Sequence, residues 1–354
     1  MNRFALRGLL LALLLVFATS AANAQNVPDK VTVRQKDGSS KTFDGTFAAS
    51  AAGFQIVAAD KKVVATVNPD DVLKVAIGDL PGADRPLILA NATKEEKRDW
   101  EGARKGYDDL LKKAGTAPER TKRHLEFKRN LMTQRVADEL DYDKDWAAKA
   151  DECAKDWGAF FTEYKTGWEL WPATRSQTRI FIERNKFDEA ARAWNRLAKN
   201  AEMPPDAKTE AALQEIDLNV RTKAYGPAAQ AAGEQMKTAT GAKKDRLAIY
   251  EIAAKAGADG KHLEGVEKIR AEMNKTKDAN VHATGFSMMA ELYLAGGKPR
   301  DAMWSFLWVE TVLNQDREEV FKAISRLANL FEGQMDDEQL KKYREKLKRY
   351  RSSF

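Results

Sequence analysis

The sequence predicts a mostly α-helical protein, an α-solenoid of stacked helical hairpins that follows a small N-terminal β segment. Three observations predict this class. Apolar residues recur with helical spacing over roughly residues 95–335. Pairs of such helices repeat at a near-constant interval. Residues 28–80 instead alternate apolar and polar side chains between turn signals, as short β-strands do.

The clearest hairpin runs from Asn280 to Asn314, where Gly296-Gly297-Lys298-Pro299 joins two helices. Glycine suits the end of one helix and proline the first turn of the next. The apolar stripes that this spacing predicts are Phe286, Met289, Ala290 and Tyr293 in the first helix and Ala302, Phe306 and Val309 in the second. One hairpin cannot bury both stripes alone, so we expect it to stack on neighbours.

The openings of the second helices recur along the chain. Their small residues are Ala190, Ala228, Gly265 and Ala302, which lie 38, 37 and 37 residues apart. Looser openings, around Trp100 and Trp146, precede them. A repeat of this length predicts a linear stack of helix–turn–helix units in which each unit contacts its neighbours.

The unit around Tyr293 resembles the tetratricopeptide repeat family, since large apolar, small and aromatic residues occupy the positions of that pattern. Val309 and Asn314 replace the family's alanine and proline, and the period here is longer. The resemblance implies a helical repeat domain over residues 92–354 that binds a protein or peptide on its concave face. The predicted packing residues are Phe181, Ala190, Trp194, Ala253, Gly265, Ala290, Tyr293, Ala302 and Phe306.

Residues 1–24 have the features of a signal peptide. Arg3 and Arg7 precede an apolar run from Leu9 to Phe17, which is too short to span a bilayer. Small residues end at Ala24, which predicts cleavage before Gln25. We therefore expect an exported protein, periplasmic or extracellular if the source is bacterial, with no transmembrane segment in the mature chain.

Residues 28–80 predict a small β domain of five short strands, forming a barrel or a twisted sheet. The second predicted strand, Thr42 to Phe47, contains Gly45. This order of strands and turns resembles the Sm-like and SH3-like small barrels. Its loops lack a matched set of aromatic and basic residues for stacking on bases, so we do not expect RNA binding. Residues 81–91, which contain two prolines, are expected to form a linker.

Composition argues against several classes of chemistry. The formal charge is +6 for the whole chain, and residues 1–24 contribute two arginines and no acid, so a mature chain would carry +4. Because acidic and basic residues nearly balance, the sequence predicts no nucleic-acid partner. The lone Cys153 lies on an apolar helical stripe, and His124, His262 and His282 belong to different hairpins. We therefore predict no catalytic residue, cofactor or metal site.

The tryptophans leave two functions open. Trp157, Trp168 and Trp171 lie close in sequence, and Trp304 and Trp308 lie one helical turn apart. Tryptophans at this spacing usually pack in a core. If some are exposed, they offer a binding surface for peptides or sugars. The predicted function is a non-catalytic protein–protein interaction scaffold. The alternative is a carbohydrate- or peptidoglycan-binding envelope protein.

Overall fold

The computed structural model describes residues 27–35, 37–142 and 144–351. The predicted signal peptide and its cleavage site at Ala24 and Gln25 lie outside these residues. The chain divides into two compact units. The described residues up to Phe47, with Gln55–Leu80, form the first, and Ala48–Phe54 with the residues from Pro81 onward form the second.

The N-terminal strands form two three-stranded sheets, ordered β2-β1-β6 and β3-β4-β5. The prediction of one five-stranded barrel or sheet is therefore wrong. β1 pairs antiparallel with both of its neighbours, and Val31 faces Phe43 on one side and Val75 on the other. The six strands are β1 (Lys30–Arg34), β2 (Ser40–Asp44), β3 (Thr46–Ser50), β4 (Gly53–Val57), β5 (Val63–Val67) and β6 (Val72–Ala76).

Gly45 divides the predicted second strand into β2 and β3. Its φ of +152° belongs to a backbone region that disfavours side chains, and a Cβ there would lie 2.8 Å from the carbonyl oxygen of Val57. The Gly45 amide donates to the carbonyl of Asp29 at 2.9 Å, which continues the register of β1 and β2 one pair beyond Lys30 and Asp44. The chain therefore leaves one sheet and enters the other at this residue.

Apart from Ala48–Phe54, the second unit is built from helices. Within the described residues there are fourteen α-helices, and the first begins at Arg85, inside the span expected to be a linker. They are α1 (Arg85–Glu96), α2 (Trp100–Lys113), α3 (Glu119–Glu139), α4 (Lys144–Glu163), α5 (Leu170–Glu183), α6 (Phe187–Ala198), α7 (Pro205–Arg221), α8 (Tyr225–Met236), α9 (Gly241–Ala258), α10 (His262–Met273), α11 (Ala279–Ala295), α12 (Pro299–Thr311), α13 (Arg317–Gly333) and α14 (Asp337–Arg351).

Six of the hairpins share one turn. The residue two positions before the second helix has a positive φ, and the next amide donates to the carbonyl five residues earlier, which is the bond of a Schellman motif. The residues with positive φ are Arg98, Asn185, Lys223, Gly260, Gly297 and Met335. Only two of them are glycine, so the shared turn is hard to see in the sequence. It includes the last hairpin, α13–α14, which sequence spacing did not reveal as a repeat.

The core of the helical unit lies between consecutive hairpins. Sequential helices pack against one another, and first helices also contact the next first helix, as α9 contacts α11. One core cluster runs from α7 to α11, with Tyr250 and Ala253 at its centre. No helix in the described part of the chain is long and apolar enough to cross a membrane.

Candidate functional site

The residues predicted to pack the repeats lie at helix–helix contacts or close to them. Phe181 and Tyr293 are half-buried, and the other seven are buried: Ala190, Trp194, Ala253, Gly265, Ala290, Ala302 and Phe306. Gly265 shows how close the helices approach. A Cβ on Gly265 would lie 2.4 Å from the Cβ of Ala256 and 2.8 Å from Cδ1 of Leu292. These residues therefore pack the helices together and do not form a binding site.

The first helices of the hairpins form what we call the inner face of the array, which the sequence predicted to bind a partner. Helix α13 lies against this face. It contacts α5 and α11, and its side chains also reach α7. Glu318 on α13 accepts from Arg175 at 2.7 Å and from Arg179, both on α5. Three further hairpins, from α7 to α12, lie between the α5–α6 hairpin and α13 in sequence, so α5, α7 and α11 gather around α13. The inner face is thus covered by the chain itself.

A cluster of buried charges joins α7 to α13. Lys322 Nζ donates to Asp217 at 2.5 Å and to Glu319 at 2.6 Å. Arg221 donates to the other oxygen of Asp217 at 2.8 Å and to Glu319 at 3.1 Å. All four side chains are at most 1% exposed. Each charge is matched by two of opposite sign, which is the condition under which buried ions persist.

The cluster continues to α11 through Glu291. Arg221 Nη1 donates to Glu291 at 3.1 Å, and Arg326 on α13 binds both Glu291 oxygens, at 2.8 and 2.9 Å. Ser287, also on α11, donates to Glu319 at 2.9 Å. Three acids and three bases therefore balance within the cluster. We call the six charged residues the inner ion cluster: Asp217, Arg221, Glu291, Glu319, Lys322 and Arg326.

Electrostatics hold this cluster in its charged form. Burial alone would raise the pKa of Asp217, but Arg221 and Lys322 outweigh it and lower that pKa below its ordinary value. Burial would likewise lower the pKa of Lys322, which Asp217 and Glu319 instead raise. The cluster is buried apart from Arg326, which is 14% exposed, and its charges are already paired. Its geometry fits a structural lock between α7, α11 and α13 better than a ligand site.

Helix α12 carries the largest exposed aromatic side chains in the described residues. Trp304 is 66% exposed and Trp308 48% exposed, and Val312 continues the same face one turn later. The Trp308 ring stacks on Phe286 of α11, with ring centroids 5.8 Å apart and planes 25° apart. The opposite face of α12, with Ala302, Phe306 and Val309, is buried. We call Trp304, Trp308 and Val312 the α12 aromatic surface.

The other clustered tryptophans are core residues. Trp157, Trp168 and Trp171 are all at least nine-tenths buried. Trp157 donates to Gln134 at 2.9 Å, and its ring packs against Phe127 with centroids 5.8 Å apart. The expectation that tryptophans pack hairpins together therefore holds for these three. Trp304 and Trp308 are the exceptions, and the sequence does not distinguish the two sets.

Groups with reactive or metal-binding chemistry are dispersed. Cys153 is buried, and burial raises the pKa of its thiol far above the ordinary value. His124 lies 3.6 Å from Glu169, while His282 contacts the carbonyls of Met273 and Thr276. Among the described residues, no three His, Cys, Asp or Glu side chains gather closely enough to hold a metal ion.

The sequence matches no known protein-family model and no curated protein. Among solved structures, it is similar to the crystal structure of a tetratricopeptide repeat protein from Parabacteroides merdae ATCC 43184. The similarity covers 75% of this chain and 97% of that chain, at 14% identity and a TM-score of 0.44. A likeness this distant does not bear on function.

Sequence reasoning did not find the inner ion cluster. Asp217 and Arg221 lie four residues apart on one helix, and so do Lys322 and Arg326. Charged residues at this spacing are common on solvated helix faces. The one signal in the sequence was that these charged residues lie among apolar residues on two helices about a hundred residues apart. No local pattern shows that the two helices are neighbours.

Proposed function

We propose that the mature chain is an exported, non-catalytic scaffold that binds a protein or peptide partner through the α12 aromatic surface. One observation carries the proposal: two adjacent tryptophans are exposed on a helix whose other face is buried in the core. Leaving such rings in water forgoes the stabilisation that burial of their apolar area would give. A partner that covers the two rings would recover this stabilisation.

The location of the proposed surface follows from the helical packing. Repeat proteins commonly use their concave face for binding. Here α13 already covers the inner face and is fixed by ion pairs to α5, α7 and α11. The α12 aromatic surface needs no rearrangement to receive a partner. Tryptophan is also among the residues that contribute most to protein–protein binding energy.

A carbohydrate partner is a second candidate, and the exposure of Trp304 favours it specifically. A ring that is two-thirds exposed offers a flat apolar face on which a sugar ring can stack. A protein partner would instead bury Trp304, Trp308 and Val312 together. The two candidates use the same side chains, so the experiment must identify the bound molecule as well as the residues.

The test compares the wild-type chain with the variant Trp304→Ala/Trp308→Ala. The bait is expressed with its own leader, and its intact mass shows whether it begins at Gln25. It is immobilised and exposed to cell-envelope extract and, separately, to purified peptidoglycan. The control variant is Leu89→Ala, because Leu89 is 60% exposed on α1 and equally apolar. Circular dichroism checks that all three proteins are folded.

We expect a discrete protein to be retained by the wild type and by Leu89→Ala, and retention to fall at least about tenfold in the double variant. A single buried tryptophan contributes on the order of 2 kcal/mol or more to such interfaces. Glycan retention that is lost in the double variant would favour the carbohydrate candidate. Equal retention by all three proteins would refute a role for the α12 aromatic surface, and a mass that includes residues 1–24 would refute cleavage.

A further inference from the structure

A cavity lined by both charged and apolar residues lies between α3, α4, α5 and the last turn of α14, away from the α12 aromatic surface. Its volume is about 50 Å³. A single water needs about 10–15 Å³ on this measure, so the cavity has room for a larger group. Its charged lining residues are Arg135, Asp138, Arg179, Glu183 and Arg351, and Trp146 forms part of its wall.

The guanidinium of Arg351 is the unusual feature of this cavity. Arg351 is 6% exposed and lies over the Trp146 ring, 4.9 Å from its centroid. Its Nη2 approaches the carbonyl of Leu140 at 3.5 Å, and its Nε lies 3.4 Å from Glu183 Oε1 without forming a hydrogen bond. Among the described residues, neither Nη1 nor Nε of Arg351 has a hydrogen-bond partner.

Glu183 is the ion-pair neighbour of Arg351, but their contact at 3.4 Å is not a hydrogen bond. Its Oε1 also lacks a hydrogen-bond partner among the described residues, although the residue is 3% exposed. A buried polar atom left unpaired costs about 1–3 kcal/mol, and charged groups cost more, so such atoms usually mark a missing water, ion or ligand. The cavity holds several such atoms around a single space.

The charges around the cavity favour an anion. Arg179 is paired with Glu318 of α13, and Arg135 lies 3.9 Å from Asp138. Burial raises the pKa of Glu183 to about 8 and that of Asp138 to about 6, with Arg351 opposing both shifts. Glu183 therefore carries a proton at neutral pH. With Arg179 paired to Glu318, the charges that remain around the cavity are Arg351, Arg135 and the carboxylate of Asp138, which leaves one positive charge in excess.

We infer that this cavity is a binding site for a small oxyanion, held by the Nε and Nη1 donors of Arg351. A planar or tetrahedral oxyanion offers two acceptor oxygens to the fork of a guanidinium, and this pairing is among the strongest in proteins. Water satisfies the donors but leaves the excess positive charge of the cavity uncompensated. A protonated Glu183 supplies an additional donor to the same anion.

The site is expected to weaken as pH rises. Asp138 and Arg135 from α3, Glu183 and Arg179 from α5, and Arg351 from α14 face the anion, and α4 contributes Trp146 and Ala150. Of the carboxyl groups, Glu183 lies nearest to Arg351. Once Glu183 loses its proton, its carboxylate competes with the anion for the guanidinium and repels it.

The experiment is titration calorimetry with inorganic phosphate, sulfate and nitrate, at constant ionic strength set with chloride. The wild type is compared with Arg351→Gln, which removes the donors and the charge. The matched control is Arg349→Gln, because Arg349 is an exposed arginine in the same helical turn. Glu183→Gln retains a neutral side chain at every pH. Circular dichroism and a thermal melt confirm that each variant is folded.

We expect at least one oxyanion to bind the wild type at pH 6.5, with binding weakened about tenfold or more at pH 9.5, since Glu183 then ionises. Arg351→Gln loses binding about tenfold or more, Arg349→Gln stays within about twofold, and Glu183→Gln binds almost equally at both pH values. Binding of no oxyanion to the wild type would overturn the inference. Equal losses in the Arg351 and Arg349 variants would also overturn it, since general charge would then explain binding.

Discussion

At the scale of the residue, the most informative positions are charged side chains in places where apolar ones are usual. Asp217 is completely buried and contacts two cations, Arg221 at 2.8 Å and Lys322 at 2.5 Å. Removing one partner from such a group leaves an uncompensated buried charge, which costs far more than the net value of the intact pair. Loss of the Asp217 carboxylate is therefore costly because it would leave the charges of Arg221 and Lys322 buried without a partner.

We predict that Asp217→Asn lowers the free energy of unfolding by about 3–5 kcal/mol, because Lys322 and Arg221 then lack a counter-charge in the core. Urea unfolding followed by circular dichroism measures the change. The matched control is Asp188→Asn. Asp188 pairs with Arg192 at 2.9 Å, but their side chains are 60% and 69% exposed.

The control should change stability by less than about 1 kcal/mol, because solvent and salt screen an exposed pair. If the two substitutions proved equally mild, Asp217 would have a route to solvent that its burial does not indicate. If only Asp217→Asn is costly, the inner ion cluster contributes to the position of α13.

At the scale of the element, two interior helix glycines have different surroundings. Gly265 in α10 lies where Ala256 of α9 and Leu292 of α11 leave no room for a methyl group. A Cβ added to Gly233 in α8 would have one neighbour, the carboxylate oxygen Oε1 of Glu251, at 3.4 Å. Glycine weakens a helix by about 0.8–1 kcal/mol relative to alanine. The same substitution therefore has opposite expected effects in the two helices.

We predict that Gly265→Ala destabilises the protein by about 1–3 kcal/mol, because α10 must move away from α9 and α11. Gly233→Ala should stabilise it by up to about 1 kcal/mol. Thermal melts and urea unfolding of the two variants provide the measurement. A stabilising Gly265→Ala would show that the three helices are packed less closely than these distances indicate.

At the scale of the whole molecule, stability depends on two sets of carboxyl groups with opposite shifts. The pKa of Glu318 is lowered, because Arg179 and Arg175 outweigh the burial that would raise it. A carboxyl group whose pKa is lowered by folding stabilises the fold at a pH above its ordinary pKa. That stability is lost as the pH falls through the lowered pKa. The raised pKa of Glu183, about 8, acts in the opposite direction. Stability from a neutral Glu183 is lost as pH rises from about 4.5 towards 8.

We therefore predict that the free energy of unfolding falls between pH 5 and pH 8.5, with a Glu183 contribution of at most about 1.4 kcal/mol per pH unit. Glu183→Gln should flatten this decline, because glutamine does not ionise. Urea unfolding at several pH values, in chloride buffers without oxyanions, measures both slopes. Identical slopes in the two proteins would mean that Glu183 titrates at its ordinary pKa in the folded chain.

Repetition made the helical hairpins predictable. The small residues Ala190, Gly265 and Ala302 recur because each hairpin meets the same packing requirement, and that requirement is local enough to leave a periodic pattern. The second helices accordingly begin at Phe187, Tyr225, His262 and Pro299, at the expected spacings. The turns were less visible, since Asn185, Lys223 and Met335 adopt a positive φ without being glycine.

The sequence by itself determined the division into strands and helices, the repeat, and the absence of a long apolar helix among the described residues. These properties depend on neighbours a few residues apart. Only the tertiary structure decided that Gly45 sends one predicted strand into two sheets, and that α13 covers the inner face. It also decided which tryptophans stay exposed and that Arg351 is buried. These outcomes depend on contacts between residues tens to hundreds of positions apart, which no local pattern encodes.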